Sequence, residues 1–324
     1  MKISTSKDLR AILYVDSYNT KGKEISQQFK EIEDTTNPNA IITFGGDGTF
    51  LHAFHQFHHL HLPFLGVNCG NVGYLLNPLN TSLSMIKENN SLIKQSFSYL
   101  HITATYENKS LKQIPVNLLN QSFDCDSFQS CYNNNNNNLN NNNNNLNNNN
   151  NNENNTNKDN DTNSIQQIPK QIYTKCAFND VWIQRKSGQC CWFEVLINGE
   201  VKIPKITCDG IVICTASGST GYSKSIGISP IPCNVPLIGF VPNNASYPLG
   251  IKPFYLPLTS EITINNIQPV RRPSVAFFDG IEIGDITSLQ IKVIENGCDV
   301  LYIDSQSVND SYINKIFKDF KQHD

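Results

Sequence analysis

Short apolar runs alternate with polar, helix-like stretches through the first hundred residues of the chain. Residues 11–15, 40–44 and 64–67 are the apolar runs, each with the length of a buried strand. A polar stretch of helical character reaches about Glu33, and a second helix begins at about Thr49. This βαβαβ order predicts a parallel, Rossmann-like sheet covered by helices.

The pattern changes after residue 168, where short strands predominate. The predicted strands are 181–183, 192–197, 210–214, 261–264, 274–278 and 289–294. Helical pattern is confined to a short segment after Ser219 and a terminal one from about Asn309. The predicted fold class is an α/β domain followed by a mostly antiparallel, β-rich domain. We expect these domains at 1–100 and 101–300, with residues 301–324 packing back on one of them.

An asparagine-rich tract at 133–155 interrupts the second part, and its polar flanks extend this insertion to about 122–168. Such a segment buries too little apolar area to offset its ordering entropy, so we expect a disordered surface insertion without a catalytic role. Asparagine-rich tracts also form β-stacks, which leaves a role in assembly as the alternative.

Composition and charge exclude several classes of protein. The net charge is −3, the pI is about 6.2 and no basic tract is present, so no nucleic-acid partner is expected. No apolar run reaches the roughly 18 to 20 residues that cross a bilayer, and the amino terminus lacks the apolar core of a signal peptide. The ten cysteines are scattered, which favours reduced thiols and a cytoplasmic protein.

Candidate chemistry begins where the second strand runs into the sequence GGDGT at 45–49. Glycines there let backbone N–H groups approach a ligand, and the positive end of the following helix favours phosphate, which makes Gly46, Gly48 and Thr49 candidate nucleotide-binding residues. Asp47 is a candidate general base or metal-organising group for phosphoryl transfer. The alternative is an ordinary strand-to-helix turn in which Asp47 caps the helix.

Two further loops carry candidate binding residues. Residues 66–76 follow the third strand at the edge where open α/β sheets bind ligands, and Tyr74 could stack on a base. Asp209, which could bind sugar hydroxyls, precedes a strand that leads through small hydroxyl residues to Thr220 and Tyr222. Hydroxyl and N–H groups there suit a ribose, a phosphate or an amide, although a plain Ser/Thr-rich turn is the alternative.

Absent motifs narrow the choice of enzyme class. The sequence has no GxxxxGK[ST], and no GxGxxG follows the first strand, so P-loop kinases and ordinary dinucleotide-binding dehydrogenases are disfavoured. Five histidines crowd the helix after the glycine loop. No nearby cysteine or carboxylate completes a metal site, so we expect solvated or partly packed histidines and no metal site built by the protein.

Taken together, these motifs resemble those of the NAD kinase family. They are GGDGT at 45–49, GVNCGNVGYL at 66–75, Asn179-Asp180, DGIVICTASGSTGYSKS at 209–225 and Phe278-Asp279-Gly280. GGDG alone is shared with lipid kinases and phosphofructokinases, whereas its combination with DGxxxxTxxGSTxY is much more specific. The resemblance covers nearly the whole chain except the asparagine-rich insertion.

The resemblance implies transfer of the γ-phosphate of Mg-ATP to the 2′-hydroxyl of the adenosine ribose of NAD or NADH, with Asp47 helping to deprotonate that hydroxyl. The implied binding residues are Asn179 and Asp180 at the ribose, Asp209 at the nicotinamide side, Thr220, Gly221, Tyr222 and Ser225 along the pocket, and Gly73 and Tyr74 closing it. The family also implies a site between two domains and a homo-oligomer, a dimer or tetramer, in which a neighbouring subunit contacts NAD. No tightly bound cofactor is implied, since Mg²⁺ arrives with ATP.

Several positions depart from the family pattern, three of them within the motifs given above. Asp180 stands in place of glutamate, Ala216 in place of proline and Gly221 in place of alanine. Asp180 keeps an acceptor and Gly221 leaves the pocket no smaller, so we expect an active enzyme. An inactive nucleotide-binding regulator is one alternative, and the presence of Asp47 argues against it. A lipid kinase that shares GGDGT is another alternative. It would need an apolar region that binds the acyl chain, whereas residues 209–225 are polar.

Deletion of residues 133–155 should leave turnover nearly unchanged, because the tract contributes almost no apolar area to a core. The measurement compares kcat and KM of the deletion variant with those of the full chain. A large loss of turnover would show that the insertion is more than a passive surface segment.

Overall fold

The computed structural model describes residues 2–4, 9–70, 73–88, 91–106 and 171–303. The strands in these ranges are β1 (Lys2–Ser4), β2 (Ala11–Val15), β3 (Ala40–Gly45), β4 (Phe64–Asn68), β5 (Ser91–Tyr106), β6 (Gln171–Ala177), β7 (Asp180–Arg185), β8 (Cys191–Ile197), β9 (Glu200–Cys208), β10 (Gly210–Cys214), β11 (Leu237–Asn243), β12 (Phe254–Pro257), β13 (Ile262–Asn266), β14 (Ser274–Phe278), β15 (Ile281–Ile286) and β16 (Ser288–Tyr302). The helices are α1 (Thr20–Gln27), α2 (Asp47–Phe57), α3 (Leu83–Glu88) and α4 (Tyr222–Ser225). The asparagine-rich insertion and the expected terminal helix lie outside the described residues.

The predicted parallel sheet is confirmed. β2 pairs with β3 and β3 pairs with β4, all in parallel. Every residue of β3 is buried, because packing elements cover both faces of the sheet. Ile41 packs in the cluster that contains Phe54 of α2, whereas Ile42 packs in the cluster that contains Phe29, just after α1.

The second part of the chain is mostly antiparallel, as predicted. One sheet has the order β12-β11-β10-β7-β14-β15, and all of its pairings are antiparallel. It packs on the antiparallel end of the first sheet, and side chains from both sheets form one core, among them Phe193, Ile262, Ile213 and Phe240. Within the described ranges, no helix has the length and apolar character to span a bilayer.

Strand β16 joins the two parts of the molecule into a continuous sheet. One of its edges pairs with β5 from Ser288 to Tyr302. The other edge pairs first with β13 and then, through Val300, in parallel with Phe64 of β4. The sheet order is therefore β2-β3-β4-β16-β13-β8-β9, with β5 also attached to β1 and β6.

Strand β5 was not predicted, because polar residues at its start conceal the alternation typical of a strand. Lys94 and Ser96 both bind Asp299 of β16, at 2.7 and 2.6 Å. Strands β5 and β16 run across residues 100 and 300 respectively, and the domain limits placed there stay predictions.

Asn77 fixes the end of β16 against β4. Its side chain is fully buried. Nδ2 donates to the carbonyl oxygens of Gly66 at 3.1 Å and Leu301 at 2.9 Å, and Oδ1 accepts from the N–H of Ile303 at 3.0 Å. The carbonyl of Gly66 also accepts from the backbone N–H of Asn77 at 2.8 Å, so the side chain matters most for the buried groups of Leu301 and Ile303.

Replacing Asn77 by leucine should lower the free energy of unfolding by about 3 kcal/mol, because the carbonyl of Leu301 and the N–H of Ile303 lose a buried partner. Urea denaturation measures this change. As a control, Asn80→Leu alters an exposed position and should change the free energy of unfolding by less than about 0.5 kcal/mol. Equal stability of the two variants would contradict this role of Asn77.

Candidate functional site

The GGDGT sequence forms the turn between β3 and α2. Gly46 is extended, with φ −100° and ψ −172°, and a side chain added at Gly46 or Gly48 would meet no atom within 4 Å. The backbone is thus open to a ligand at both glycines. At Gly45, by contrast, a Cβ would lie 2.1 Å from Oγ1 of Thr49. Thr49 is itself buried, so its side chain packs against the turn.

Asp47 joins this turn to the second glycine-rich loop. It is half-buried and is the first residue of α2. Its Oδ2 accepts from the N–H of Tyr74 at 2.9 Å, and its Oδ1 accepts from the N–H of Leu75 at 3.1 Å. The carboxylate is therefore held by a neighbouring loop rather than by capping its own helix. Each of its oxygens keeps a further lone pair.

The second loop packs directly on the first. The N–H of Cys69 donates to the carbonyl of Gly45 at 2.8 Å. A Cβ on Gly70 would lie 3.6 Å from Cα of Gly46, and one on Gly73 would lie 2.7 Å from the side chain of Asn68. A side chain is therefore disfavoured at Gly73, inside the second loop, whereas the approach of Gly70 to Gly46 is an ordinary van der Waals contact.

A third loop, after β10, packs on the turn that leads into β7. We call this turn, residues 178–180, the Asn179 turn. The N–H of Thr215 donates to the carbonyl of Asn179 at 2.8 Å, and its Oγ1 donates to the carbonyl of Phe178 at 2.8 Å. At Gly218 a Cβ would lie 2.1 Å from the carbonyl oxygen of Asn179. Only glycine fits this contact. Oδ1 of Asn179 is buried and has no hydrogen-bond partner among the described residues.

The pocket residues that follow lie on an exposed surface. Thr220 ends a short 3-10 turn and is half-buried, whereas Gly221, Tyr222 and Ser225 are exposed at α4. The ring of Tyr222 lies 5.7 Å from that of Trp182. These residues leave polar and aromatic groups accessible beside the Asn179 turn.

Asp279 holds the Asn179 turn from beneath. It and Gly280 connect β14 to β15 with φ of 43° and 84°, the two left-handed residues of a type I′ hairpin for which Asp-Gly is a favoured sequence. The Asp279 carboxylate accepts from the N–H groups of Phe178 at 2.6 Å, Asn179 at 2.8 Å and Asp180 at 3.0 Å. A locally determined hairpin thus positions a carboxylate that shapes the site.

The Asp180 carboxyl is buried beside this carboxylate. Burial raises the pKa of Asp180 to about 8, and the negative charge of Asp279 adds to the rise. A neutral Asp180 is both a hydrogen-bond donor and an acceptor.

Helix α2 connects the GGDGT turn to the Asn179 turn. The rings of Phe50 and Phe54 each lie 5.2 Å from the ring of Phe178. Farther along the helix, Nε2 of His55 lies 3.0 Å from Oδ2 of Asp279. Phe50 follows Asp47 by less than one turn, so the beginning of the helix packs on the residue that precedes Asn179.

Residues 8–97 match the ATP-NAD kinase N-terminal domain, and residues 178–298 match the ATP-NAD kinase C-terminal domain. The chain belongs to the ATP-NAD kinase family. The NAD kinase of Rickettsia akari (strain Hartford) is 25% identical over 314 residues, which cover 96% of this chain and 99% of that protein. The NAD kinase of Rickettsia bellii (strain OSU 85-389) is similar to the same extent, 25% over 314 residues.

Solved structures share the fold. An NAD kinase from Archaeoglobus fulgidus in complex with ATP matches with a TM-score of 0.59 and 14% identity, over 95% of this chain and 98% of that one. Yeast NADH kinase complexed with NADH matches with a TM-score of 0.61 and 18% identity, over 100% of this chain and 94% of that one. The predicted family and the predicted two-part fold are confirmed.

One predicted site residue, Asp209, lies apart from the Asn179 turn. Asp209 precedes β10 and Thr215 follows it, which places them about 20 Å apart along the strand. Asp209 binds Nε of Arg185 at 2.8 Å and Nδ2 of Asn244 at 3.1 Å. Within one copy of the chain, Asp209 lies at the far end of β10 from the Asn179 turn and on the side of Tyr222, since both Asp209 and Tyr222 bind Asn243.

The sequence did not single out His55 as a residue of the site. Among the histidines of this segment, His52 is exposed and His58 stacks on Phe54 at 5.1 Å, as expected for solvated or packed side chains. His55 instead meets a buried carboxylate from the far end of the chain. Across the described residues, no three His, Cys, Asp or Glu side chains are grouped to hold a metal ion.

The raised pKa of Asp180 predicts a pH-dependent stability. Between about pH 4, where the unfolded chain loses this proton, and about pH 8, the folded protein keeps it. The contribution of Asp180 to the free energy of unfolding therefore falls as pH rises through that window. Asp180→Asn, which does not ionise, should gain stability relative to the wild type from pH 5 to 8, by at most about 1.4 kcal/mol per pH unit.

Urea denaturation at four pH values between 5 and 8 measures the difference. The control is Asp34→Asn, because backbone hydrogen bonds lower the pKa of Asp34, and its titration lies below this window. A difference between Asp180→Asn and wild type that stays constant with pH would contradict the prediction.

Proposed function

We propose that this protein transfers the γ-phosphate of ATP to the 2′-hydroxyl of the adenosine ribose of NAD or NADH. One observation carries the proposal. The Asp47 carboxylate begins a helix that also packs on the Asn179 turn, through the contacts of Phe50 and Phe54 with Phe178. One helix therefore connects a proton acceptor to a turn that suits a sugar.

The Asn179 turn suits a ribose. Its buried Oδ1 has no hydrogen-bond partner among the described residues, and buried acceptors of this kind are normally satisfied by a donor such as a hydroxyl. A neutral Asp180 beside it would donate to or accept from a second hydroxyl. The exposed Tyr222 and the half-buried Thr220 add an aromatic face and a hydroxyl for the rest of the dinucleotide.

Asp47 acts as general base in this proposal. Its bonds to the N–H groups of Tyr74 and Leu75 orient the carboxylate, and each oxygen keeps a lone pair for the 2′-hydroxyl proton. The ribose oxygen attacks the γ-phosphorus, the bond to the bridging oxygen of ADP breaks, and Asp47 takes the proton. The open backbone at Gly46 and Gly48, at the positive end of α2, favours the transferred phosphate.

The relatives support the choice of substrates. The archaeal structure contains ATP and the yeast structure contains NADH, and both have this fold. We extend both substrate classes to this chain and expect Mg²⁺ to enter with ATP, whose phosphate oxygens are the ligands this ion prefers.

The separation of Asp209 from the Asn179 turn supports a homo-oligomer, a dimer or tetramer, in which Asp209 reaches the nicotinamide side of NAD bound to a neighbouring copy. Asp209 lies at the opposite end of β10 from Thr215, about 20 Å along the strand.

The wild-type protein, mixed with Mg-ATP and NAD or NADH, should form NADP or NADPH, detected with an NADP-specific dehydrogenase. Asp47→Asn should lower kcat by about 10² to 10⁴, the usual contribution of a general base. Asp34→Asn is the matched control, because Asp34 also accepts two backbone N–H groups, from Thr36 and Asn37, but lies before β3.

The outcomes separate the competing functions. No product from the wild type would exclude the kinase, and binding of NAD without turnover would then favour the inactive regulator. Phosphorylation of a lipid instead of NAD would favour the lipid kinase. Equal turnover by wild type and Asp47→Asn would refute the base role alone.

A further inference from the structure

We propose that His55 is a positioning residue that, through Asp279, holds the Asn179 turn at a set place along helix α2 and so aligns the ribose with Asp47. The inference rests on the proposed function and deepens it. It assigns a role in the reaction to a side chain that lies outside all of the glycine-rich loops.

The buried carboxylate of Asp279 is the centre of this arrangement. Its side chain is fully buried, and its two oxygens accept three backbone N–H groups from residues 178–180. Oδ2, which accepts from the N–H of Phe178, also lies 3.0 Å from Nε2 of His55. The group that shapes the substrate-binding turn therefore contacts the helix that carries the base.

Helix α2 sets the distance between Asp47 and the contact of His55 with Asp279. Asp47 is its first residue and His55 lies eight positions later, about 12 Å along the axis. The helix between them is braced by Phe50 and Phe54, both fully buried. A shift of the His55–Asp279 contact would move the Asn179 turn relative to Asp47.

The surroundings of His55 favour a lasting contact. Its side chain is 17% exposed, and its ring packs edge-on against the rings of Phe278 at 5.2 Å and Phe54 at 5.6 Å. The Nε2–Oδ2 distance is that of an ion pair, although the angle is not that of a hydrogen bond. Partial burial strengthens such a contact compared with one on an exposed surface.

Asp180 is the other acidic group beside this pair, and the negative charge of Asp279 adds to the burial that raises the pKa of Asp180 to about 8. The proton kept on Asp180 avoids repulsion between the two carboxyl groups, which would loosen the turn. The imidazole of His55 lies on the side of Asp279 that faces α2. The pair therefore acts on the site by holding the turn and touches no reacting atom.

The test uses the full-length protein with NAD and Mg-ATP varied separately. His55→Phe keeps a ring between the phenylalanines but removes the donor, and His55→Asn has an amide that stops short of Asp279. Both should lower kcat/KM for NAD by about ten- to a hundredfold, the cost of a small misalignment, with KM for ATP within twofold of the wild type. His55→Arg, which restores a donor, should recover most of that loss.

His58→Phe is the matched control, because His58 lies on the same segment but contacts the carbonyl and the ring of Phe54 instead of Asp279. Thermal melting shows that each variant is folded at the assay temperature. The inference is overturned if His55→Phe and His55→Asn retain the wild-type kcat/KM for NAD. It is also overturned if His55→Arg restores none of the lost kcat/KM, or if KM for ATP rises as much as KM for NAD. Absence of turnover in the wild type would instead refute the proposed function.

Discussion

A buried carboxylate must find donors, and the site of this protein is organised around one that does. Asp279 has no exposed side-chain surface; it accepts from three backbone N–H groups and lies 3.0 Å from one imidazole. Leaving such a charge unpaired would cost several kcal/mol. The start of β7, the β14–β15 hairpin and helix α2 are therefore constrained to meet at this point.

Around that constraint, loops from strand ends assemble the rest of the site. Asp47 reaches from the first loop to the backbone of the second, and Thr215 reaches from the third to the Asn179 turn. Glycine is required where backbones nearly touch, as at Gly218. The arrangement has a cost, since Asp180 is buried beside a second carboxylate and keeps its proton to about pH 8.

The two parts of the chain are joined more firmly than two domains linked by a hinge. β16 pairs with β5 along its length and reaches both β13 and β4. Asn77 satisfies the backbone where β16 ends. A cleft between parts that share one sheet is held in a narrow range of shapes, which suits a reaction that depends on alignment.

The local sequence was enough to predict the parallel strands, the glycine turn with Asp47 and the β-rich second half, because periodicity and glycine placement act over a few residues. It did not reveal β5, whose polar residues Lys94 and Ser96 bind Asp299 on the neighbouring strand β16. Nor did it reveal that the side chain of Thr49 is buried against the glycine turn. Five neighbouring histidines look alike in the sequence. Only the fold brings Asp279 to His55, because that contact depends on a hairpin formed by residues far along the chain.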